Sequence, residues 1–367
     1  MRLALIHDHL IQAGGAEKVL QVFQDMWPEA PTYTLLYDKD KMYKEFGGRD
    51  IRTSFLSQWP WALKKYQWYL PLMPAATEHY DLSDYNLIVS STSAFSKGVV
   101  GHPGSLHVCY CHTPTRYLWS DTHEYIENLK VPRLIKKILP TILSRLRLWD
   151  KHAADRVDVF IANSETVRRR IKKYYGRDSH VIHPPVETER FAINDKPKKY
   201  FLIGGRLVAY KRYDIAIDAF TKTGLPLKVF GSGPEEAALK RRAGSNIEFL
   251  GRVSDQEKAD LYAGCTAFLH PHEEDFGITQ VEAMASGRPV IALRRGGSIE
   301  AVEEGVTGEF IDEQSWEELA DRAIHFDQTK YDPERIRTHA KQFDTNQFKL
   351  KMRQFVENKW QEHEDSN

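Results

Sequence analysis

The stretch AFLHPHEEDFGITQVEAMASG, residues 267–287, joins a short apolar run to a polar turn and then to a helix-like pattern. A strand, a turn and a helix in this order form the repeating unit of a parallel α/β sheet. Thr279 and Glu282 fit the S/T-x-x-E capping box, which predicts that Glu282 caps the start of this helix. Glu274 lies eight positions before Glu282 and has no such capping role, so its place in the turn needs another explanation.

The same order of strand, turn and helix recurs through the rest of the chain. In the second half, apolar runs lead into glycine-containing turns at residues 200–205, 227–233, 247–253 and 289–297. In the first half, candidate strands cover residues 3–6, 87–90, 107–110 and 157–162. Repeated units of this kind predict an α/β fold made of doubly wound parallel sheets. Helix starts are predicted at Ser164, at Ser254 with Glu257 and at Ser315 with Glu318.

The length of 367 residues suits two domains, each with its own hydrophobic core. A charged stretch at 181–199 contains three prolines, which is typical of an interdomain connection, and we place the boundary between residues 186 and 197. The last stretch, about 332–360, has a helical pattern with several aromatic residues. We expect it to pack against another part of the chain.

The composition excludes several classes of protein. Lys and Arg together number 51, as do Asp and Glu, so no overall charge favours binding to nucleic acid. The three cysteines are too few for a disulfide framework and fit a reducing cytoplasm. The first apolar run reaches a charged residue at Asp8, and we find no apolar stretch of the roughly 18 to 20 residues that a membrane span needs. We therefore expect a cytoplasmic protein, soluble or peripheral at the inner face of the membrane.

Glycines lie between a predicted strand and a predicted helix in four places. Glycine lets the backbone approach a phosphate, and the helix that follows presents free N–H groups, but for any one of these places alone we favour an ordinary tight turn. The GSG sequence at 231–233 lacks the third glycine of the dinucleotide fingerprint, so an NAD site is poorly supported. The four places are Gly14–Gly15, Gly204–Gly205, Gly231–Gly233 and Gly296–Gly297.

Arg206 and Lys211 follow the predicted strand at 200–205, at the end where open α/β sheets bind ligands. Two cations there could neutralise a diphosphate and stabilise it as a leaving group, although a solvated basic loop is the alternative. His112 also follows an apolar strand and could hydrogen-bond a sugar hydroxyl or act as an acid or base. A structural histidine is at least as compatible with the local sequence. Cys109, Cys111 and His112 lack a fourth ligand at the usual spacing for a metal.

Two segments of the first half combine aromatic or aliphatic residues with basic residues. Residues 59–74 read WPWALKKYQWYLPLMP, and residues 130–151 carry seven basic residues against one acid. A basic amphipathic helix can lie on an anionic bilayer. The alternative is a helix whose apolar face belongs to the core and whose charges are merely solvated.

Several motifs, taken together and in order, resemble the retaining, GT-B-fold glycosyltransferases of family 4, in particular the mannosyltransferase-like enzymes of O-antigen and exopolysaccharide synthesis. They span nearly the whole chain, and the E-x7-E element from Glu274 to Glu282 with its Phe-Gly is the most specific. The motifs are GGAEKVL (14–20), HTPTRYLW (112–119), ANSETVRRRI (162–171), HPPVETERF (183–191), GRLVAYKRYDIAIDAF (205–220), GSGPE (231–235), GRV (251–253) and EDFGITQVEAMASGRPVIA (274–292).

The resemblance implies two Rossmann-like domains that face a cleft. Residues 1–186 would form the acceptor domain, together with a C-terminal helix at about 343–367 that crosses back to it. Residues 187–342 would form the donor domain. The resemblance also implies a nucleotide-sugar donor, no cofactor and no catalytic metal, because Arg206, Lys211 and a helix N-terminus would stabilise the departing diphosphate.

The family's site residues carry over onto matching positions of this chain. Glu274 would bind hydroxyls of the donor sugar, and His112 would contact the sugar near its 6-position. Glu282 would hold the ribose. The family's catalytic positions correspond to His112, Arg206, Lys211 and Glu274, and its donor contacts correspond to Gly14, Gly15, Arg206, Lys211, Arg252 and Val253, with Phe276, Gly277, Ile278 and Glu282.

The chain departs from the family pattern at two positions. Arg212 stands where the family often has glycine, and His272 stands where serine is frequent. Glu273, beside Glu274, leaves some ambiguity about which carboxylate binds the sugar, and the spacing to Glu282 favours Glu274.

The resemblance favours GDP-mannose as donor, with UDP-glucose, UDP-galactose or another activated sugar as alternatives. The expected acceptor is a glycan or a polyprenyl-diphosphate-linked glycan at an anionic membrane surface that residues 59–74 and 130–151 would contact. A GT-B-fold sugar-nucleotide epimerase and a non-catalytic nucleotide-sugar-binding subunit are the alternatives from other classes.

Overall fold

Seven parallel strands form a sheet in the first part of the chain, in the order β3-β2-β1-β4-β5-β6-β7. The computed structural model describes residues 2–129 and 131–366, so Met1, Lys130 and Asn367, which the expected domains and the expected basic segment included, lie outside the described residues. The strands are β1 (Leu3–His7), β2 (Thr32–Thr34), β3 (Ile51–Thr53), β4 (Leu87–Thr92), β5 (Leu106–Cys111), β6 (Val159–Ala162) and β7 (Ser179–Val181).

Seven α-helices connect these strands. Ser164 caps the last of them, since its side chain accepts a hydrogen bond from the backbone N–H of Val167, as the sequence predicted. The helices are α1 (Gly15–Met26), α2 (Lys39–Phe46), α3 (Met73–Glu78), α4 (Arg116–Trp119), α5 (Thr122–Asn128), α6 (Arg133–Asp155) and α7 (Glu165–Tyr175).

A second parallel sheet has six strands in the order β10-β9-β8-β11-β12-β13. Its strands are β8 (Phe201–Gly204), β9 (Leu227–Phe230), β10 (Ile247–Gly251), β11 (Phe268–His270), β12 (Val290–Leu293) and β13 (Gly308–Ile311). The helices of this part are α8 (Tyr213–Thr223), α9 (Glu236–Arg242), α10 (Asp255–Gly264), α11 (Ile278–Ala285), α12 (Ser298–Ala301), α13 (Trp316–His325) and α14 (Pro333–Ala340).

Both sheets therefore have the Rossmann strand order, and the predicted pair of doubly wound α/β domains is confirmed. The order reverses between β1 and β4 in the first sheet and between β8 and β11 in the second. Ligands of open α/β sheets bind beyond the carboxyl ends of the strands at such a switch point. Each sheet thus marks one place where a site is expected.

The chain divides into two compact units, Met1–His183 with Phe348–Asn367, and Pro184–Gln347. The connecting segment belongs to the second unit because Val186 exchanges backbone hydrogen bonds with the end of that unit, from its N–H to the Phe343 carbonyl and to its carbonyl from the Thr345 N–H. The observed boundaries therefore lie between residues 183 and 184 and between residues 347 and 348. The resemblance had placed them between 186 and 187 and between 342 and 343.

The last helix, α15 (Thr345–Ser366), returns to the first unit. Phe348, Met352 and Val356 are buried in the core that also contains Phe23 of α1 and Tyr110 of β5. The Phe348 ring lies 5.8 Å from that of Phe23 and 5.7 Å from that of Tyr110. The predicted aromatic C-terminal helix is therefore part of the first hydrophobic core.

The two aromatic and basic segments of the first unit pack partly on each other. Leu70 and Met73 from residues 59–74 share a core cluster with Leu143 and Leu146 of α6, which is the apolar face expected of a packed helix. Other large apolar side chains in the same segments remain exposed, namely Trp59, Trp61, Leu63, Trp68, Leu72, Ile135, Ile138 and Leu148. Among the helices that the structure describes, none has an apolar stretch long enough to cross a membrane.

Candidate functional site

Lys211 and Glu274 meet at the switch point of the second sheet. Lys211 lies in the loop after β8, and Glu274 lies in the loop after β11, the strand next to β8. The Lys211 Nζ atom lies 2.8 Å from Oε1 of Glu274, and both side chains are largely buried. An ammonium and a carboxylate held together in this way form a charge-assisted hydrogen bond at the position where α/β sheets bind ligands.

Both members of this pair are charged. Burial alone would lower the pKa of Lys211, but the carboxylate of Glu274 and the phenol of Tyr210 raise it above its ordinary value. Burial alone would raise the pKa of Glu274, but the ammonium of Lys211 and the imidazoles of His272 and His270 hold it well below its ordinary value. The site therefore offers a fixed anion that accepts hydrogen bonds from hydroxyls and a fixed cation that attracts phosphate oxygens.

Two buried histidines line the same loop. His272 Nε2 lies 3.4 Å from Oε1 of Glu274, and the His270 and His272 rings lie 4.1 Å apart. Burial lowers the pKa of His272, although Glu274 opposes this, and burial with His272 lowers that of His270 well below its ordinary value. Both imidazoles are therefore neutral at pH 7. His270 was not among the predicted site residues, although its position as the last residue of an apolar strand was a signal for it.

In the described part of the chain, one group of side chains has ligand atoms that are close enough together to hold a metal. It consists of His270, His272 and Glu274, whose ligand atoms lie within 4.8 Å of one another. The ammonium of Lys211 already contacts the carboxylate of this group. A metal ion bound to Glu274 would lie next to that positive charge and would have to displace it. The local charges therefore favour Lys211 as the cation of the site.

The loop after β8 also presents Arg206 and Arg212. The Arg206 side chain is exposed and makes no hydrogen bond or ion pair with other described residues, so it is available to bind an anion. Arg212 adopts left-handed backbone angles, with φ of +49°, which explains why glycine is common at this position in the family. Its guanidinium bonds Asp214 at 3.0 Å and so holds the residue at the start of α8.

The Phe-Gly turn leads directly into α11. Gly277 has φ of +88° and is the N-cap residue of this helix, so the free N–H groups of the first turn begin at Ile278. The Phe276 side chain is buried in the core of the second unit and leaves only its backbone for a ligand. On the other side of the turn, the N–H of Gly297 donates to the Glu274 carbonyl at 2.9 Å and fixes the loop that carries this carboxylate.

The predicted capping box at Thr279 and Glu282 is wrong. Because α11 begins at Ile278 behind Gly277, Thr279 lies inside the first turn and cannot act as the N-cap residue. The buried carboxylate of Glu282 instead bonds Lys258 Nζ at 2.9 Å and accepts from the Tyr262 hydroxyl at 3.2 Å. Of the other predicted boxes, the one at Ser254 and Glu257 is complete.

The third predicted box, at Ser315 and Glu318, is only half formed. Ser315 accepts a hydrogen bond from the Glu318 N–H, but the Glu318 carboxylate accepts from the backbone of Asp312 and Glu313 instead of capping Ser315.

Arg252 and Val253 follow β10, on the same side of the sheet as the loops after β8 and β11. The Arg252 Nε atom donates to Ser232 Oγ at 2.9 Å, and its side chain is exposed. Val253 is partly buried and packs against the core of the second unit. The structure therefore puts both residues, which the resemblance gave as donor contacts, at the carboxyl edge of the sheet.

The first unit holds Gly14, Gly15 and His112. Gly14 is the N-cap residue of α1 in extended backbone, and both glycines are exposed. His112 follows β5, and its Nε2 atom lies 2.8 Å from Oγ of Ser91 on β4. Burial and the nearby His7 lower the pKa of His112 to about 4, so its imidazole is neutral at pH 7 and is a hydrogen-bonding group rather than a cation.

Cys109 and Cys111 are core residues. Both thiols are fully buried in a cluster with Phe160 and Val167, and burial raises the pKa of Cys109 to about 12. In residues 2–129 and 131–366, no metal-ligand group that includes them is found.

Comparisons with known proteins cover nearly the whole chain. The profile of Glycosyltransferase Family 4 matches residues 14–190, and that of Glycosyl transferases group 1 matches residues 185–343. The GDP-mannose-dependent alpha-mannosyltransferase of Corynebacterium glutamicum is 33% identical over 155 residues, which are 41% of this chain and 37% of that protein. The O-antigen chain mannosyltransferase C of Escherichia coli is 28% identical over 148 residues, or 37% of this chain and 40% of that protein.

A solved structure matches almost end to end. Anabaena HepE in complex with UDP superposes with a TM-score of 0.73 at 20% sequence identity, over 98% of this chain and 100% of that one. At this identity the similarity establishes the fold. The chain spans well under two thirds of the length of the two curated relatives.

The two profiles and the strand orders together place the chain in the GT-B class of glycosyltransferases. Within that class, the chain belongs to glycosyltransferase family 4.

Proposed function

We propose that the protein is a retaining hexosyltransferase that transfers mannose from GDP-mannose to a hydroxyl of a glycan or lipid-linked acceptor in the synthesis of a cell-surface polysaccharide. The observation that carries the proposal is the buried Lys211–Glu274 pair at the switch point of the second sheet. Lys211 and Arg206 bind the diphosphate, and the Glu274 carboxylate accepts hydrogen bonds from the sugar. Leaving-group charge is then stabilised by fixed cations and by the N-terminus of α11.

Retention of the configuration at the anomeric carbon is consistent with a transfer on one face of the sugar. In such a reaction the bond from the anomeric carbon to the phosphate oxygen breaks as the acceptor oxygen approaches from the same side. The departing phosphate oxygen takes the acceptor's proton, so the protein needs no nucleophile of its own. The low pKa of Glu274 suits a residue that stays ionised and stabilises an oxocarbenium-like centre instead of donating a proton.

GDP-mannose is preferred as donor because both curated relatives carry mannosyltransferase names, and one name specifies GDP-mannose. UDP sugars remain the second choice, supported by the UDP-bound neighbour in structure. The base would lie near Arg252 and Val253, and the ribose near Glu282.

The test is incubation with a panel of nucleotide sugars, following release of nucleoside diphosphate with and without a lipid-linked acceptor. Release from GDP-mannose that the acceptor stimulates supports transfer. An isomerised donor without acceptor would instead identify a sugar-nucleotide epimerase, and binding without turnover a non-catalytic subunit.

Activity is expected to be independent of added metal. Lys211 provides the positive charge beside Glu274 that a divalent ion would otherwise supply. The measurement is the initial rate of transfer before and after EDTA treatment, and again after addition of Mg²⁺ or Mn²⁺. The thermal unfolding curve with EDTA serves as the control for general destabilisation. Loss of activity in EDTA with recovery in Mg²⁺ would show that the metal-free mechanism is wrong.

We further propose that residues 59–74 and α6 contact an anionic membrane. Trp61 and Trp68 are 64% and 58% exposed, and Lys65 Nζ lies 4.1 Å from the centre of the Trp68 ring, so aromatic and cationic groups share one surface. Tryptophan beside lysine is typical of proteins that lie at the membrane interface.

Flotation with vesicles that contain anionic lipid should carry the protein upward, and the double variant Trp61→Ala/Trp68→Ala should remain in the soluble fraction. Tyr43→Ala is the matched control, because Tyr43 is equally exposed at 67% but lies on α2, outside both segments. A wild-type protein that stays in the soluble fraction would contradict the membrane proposal.

A further inference from the structure

A row of polar side chains lies between His112 and the glycine turn of the first unit. Ser91 Oγ lies 2.8 Å from His112 Nε2 and 3.2 Å from His7 Nδ1. On the other side of its ring, His7 Nε2 lies 3.8 Å from Oε1 of Glu17. His7, Ser91 and Glu17 are buried, and they come from β1, β4 and the first turn of α1.

The carboxylate of Glu17 lies beneath the Gly14 turn. A Cβ atom at Gly14 would lie 2.9 Å from Oε2 of Glu17. Burial alone would raise the pKa of Glu17, but His7 and the helix backbone lower it below its ordinary value, so the side chain is ionised and can only accept hydrogen bonds. The distance of 3.8 Å to His7 exceeds a hydrogen bond, yet a negative charge so close favours a proton on the Nε2 atom that faces it.

The carboxylate of Asp8, which is next to His7 in the chain, is hydrogen-bonded to another part of the chain. Asp8 accepts four backbone hydrogen bonds, from the N–H groups of residues 93–96, at 2.6 to 2.9 Å. Both oxygens of Asp8 therefore accept hydrogen bonds from the loop after β4.

The number of protons on each side chain decides which group donates and which accepts in these hydrogen bonds. When His7 carries one proton, on Nε2, its Nδ1 atom is an acceptor, and the Ser91 hydroxyl then donates to His7. That hydroxyl has one proton, so its oxygen must accept from His112, which places the His112 proton on Nε2. A neutral imidazole has no second proton, and Nδ1 of His112 is left as an acceptor with no partner among the described residues.

We infer that Glu17, His7 and Ser91 are positioning residues that fix His112 in the Nε2–H tautomer, so that its Nδ1 atom accepts a hydrogen bond from a hydroxyl of the bound sugar. The inference rests on the proposed function for the identity of the ligand, but the tautomer itself does not depend on activity. An imidazole held in this way binds a hydroxyl and gives no hydrogen bond to a phosphate oxygen, so it selects the sugar over the diphosphate.

Nitrogen-15 NMR of the histidine-labelled protein at pH 8 tests the inference directly, since histidine is ordinarily neutral at that pH. The expected spectrum shows His112 with its proton on Nε2, assigned by loss of the signal in His112→Gln. Glu17→Gln should shift the proton toward Nδ1, because an amide can donate to His7 and reverse every hydrogen bond in the row. Ser91→Ala should give a mixture of tautomers.

The chain offers a matched control one residue away. Ser90 Oγ lies 2.8 Å from His107 Nε2, also buried, but Ser90 and Ser91 point to opposite faces of β4. Ser90→Ala should therefore leave the His112 signals unchanged. With GDP-mannose as donor, Ser91→Ala should lower kcat/KM by about 10-fold, the value of one hydrogen bond, and Ser90→Ala should not.

An Nδ1–H tautomer in the wild type would overturn the inference, as would a tautomer that neither Glu17→Gln nor Ser91→Ala alters. Absence of any transfer activity, with the expected spectra, would instead count against the proposed function alone.

Discussion

Replacing Glu274 with glutamine should lower the rate of hexose transfer by about 1000-fold or more while the nucleoside diphosphate still binds. Glutamine keeps the shape of the side chain but removes the charge that pairs with Lys211 at 2.8 Å and that, under the proposed function, faces the sugar. Loss of one preorganised electrostatic contact at a reacting centre typically costs about 100- to 1000-fold. The ammonium of Lys211 would also remain buried without its counter-charge, which adds to the loss.

Steady-state kinetics and calorimetry with GDP provide the two measurements. Glu273→Gln is the matched control, because Glu273 has the same side chain one position earlier, whereas the ion pair with Lys211 is made by Glu274. Glu274→Gln should keep GDP affinity near the wild-type value, and Glu273→Gln should keep both affinity and turnover. If Glu273→Gln caused the large loss instead, the sugar-binding carboxylate would have been assigned to the wrong residue.

The fold could be predicted from the sequence wherever a strand lies in an apolar run. The strands β1, β4, β5 and β6 were predicted from apolar runs of four to six residues, and so were β8 to β12. The predictions missed β2, β3 and β7, each three residues long, and also β13. The sequences of β2, β3 and β7, which are TYT, IRT and SHV, carry too little hydrophobic pattern, and their neighbours in the sheet decide that they pair.

The site was only partly predictable for a related reason. Lys211 and Glu274 could each be placed after a strand, but they lie 63 positions apart in the chain. Only the strand order, with β8 beside β11, brings them into contact. The capping prediction failed because the N-cap residue of α11 is the left-handed Gly277, which lies two residues before Thr279.

The GSG sequence after β9 has a structural role that depends on its first glycine. Gly231 has φ of +107°, and a Cβ atom there would overlap the carbonyl oxygen of Gly205 in the loop that carries Arg206. The N–H of Gly231 also bonds the Gly251 carbonyl at 2.6 Å. This glycine therefore lets three loops at the carboxyl edge of the second sheet approach one another.

Gly231→Ala should lower the stability of the second unit by about 3 kcal/mol or more, because the new methyl group meets rigid backbone and the residue must hold a positive φ. For a unit of this size that corresponds to a decrease in Tm of roughly 6 to 12 °C. Scanning calorimetry of the full chain measures it. The loop with Arg206 should shift as well, so GDP should bind more weakly.

Gly224→Ala is the control that separates backbone angle from backbone overlap. Gly224 also has a positive φ, of +72°, but a Cβ atom there would meet nothing within 4 Å. It should cost only the left-handed conformation, about 1 to 2 kcal/mol, and leave GDP binding unchanged. Equal losses in the two variants would mean that φ alone makes glycine necessary at 231. A larger loss at 231, accompanied by weaker GDP binding, would show that the close approach to Gly205 is what shapes the loop that carries Arg206.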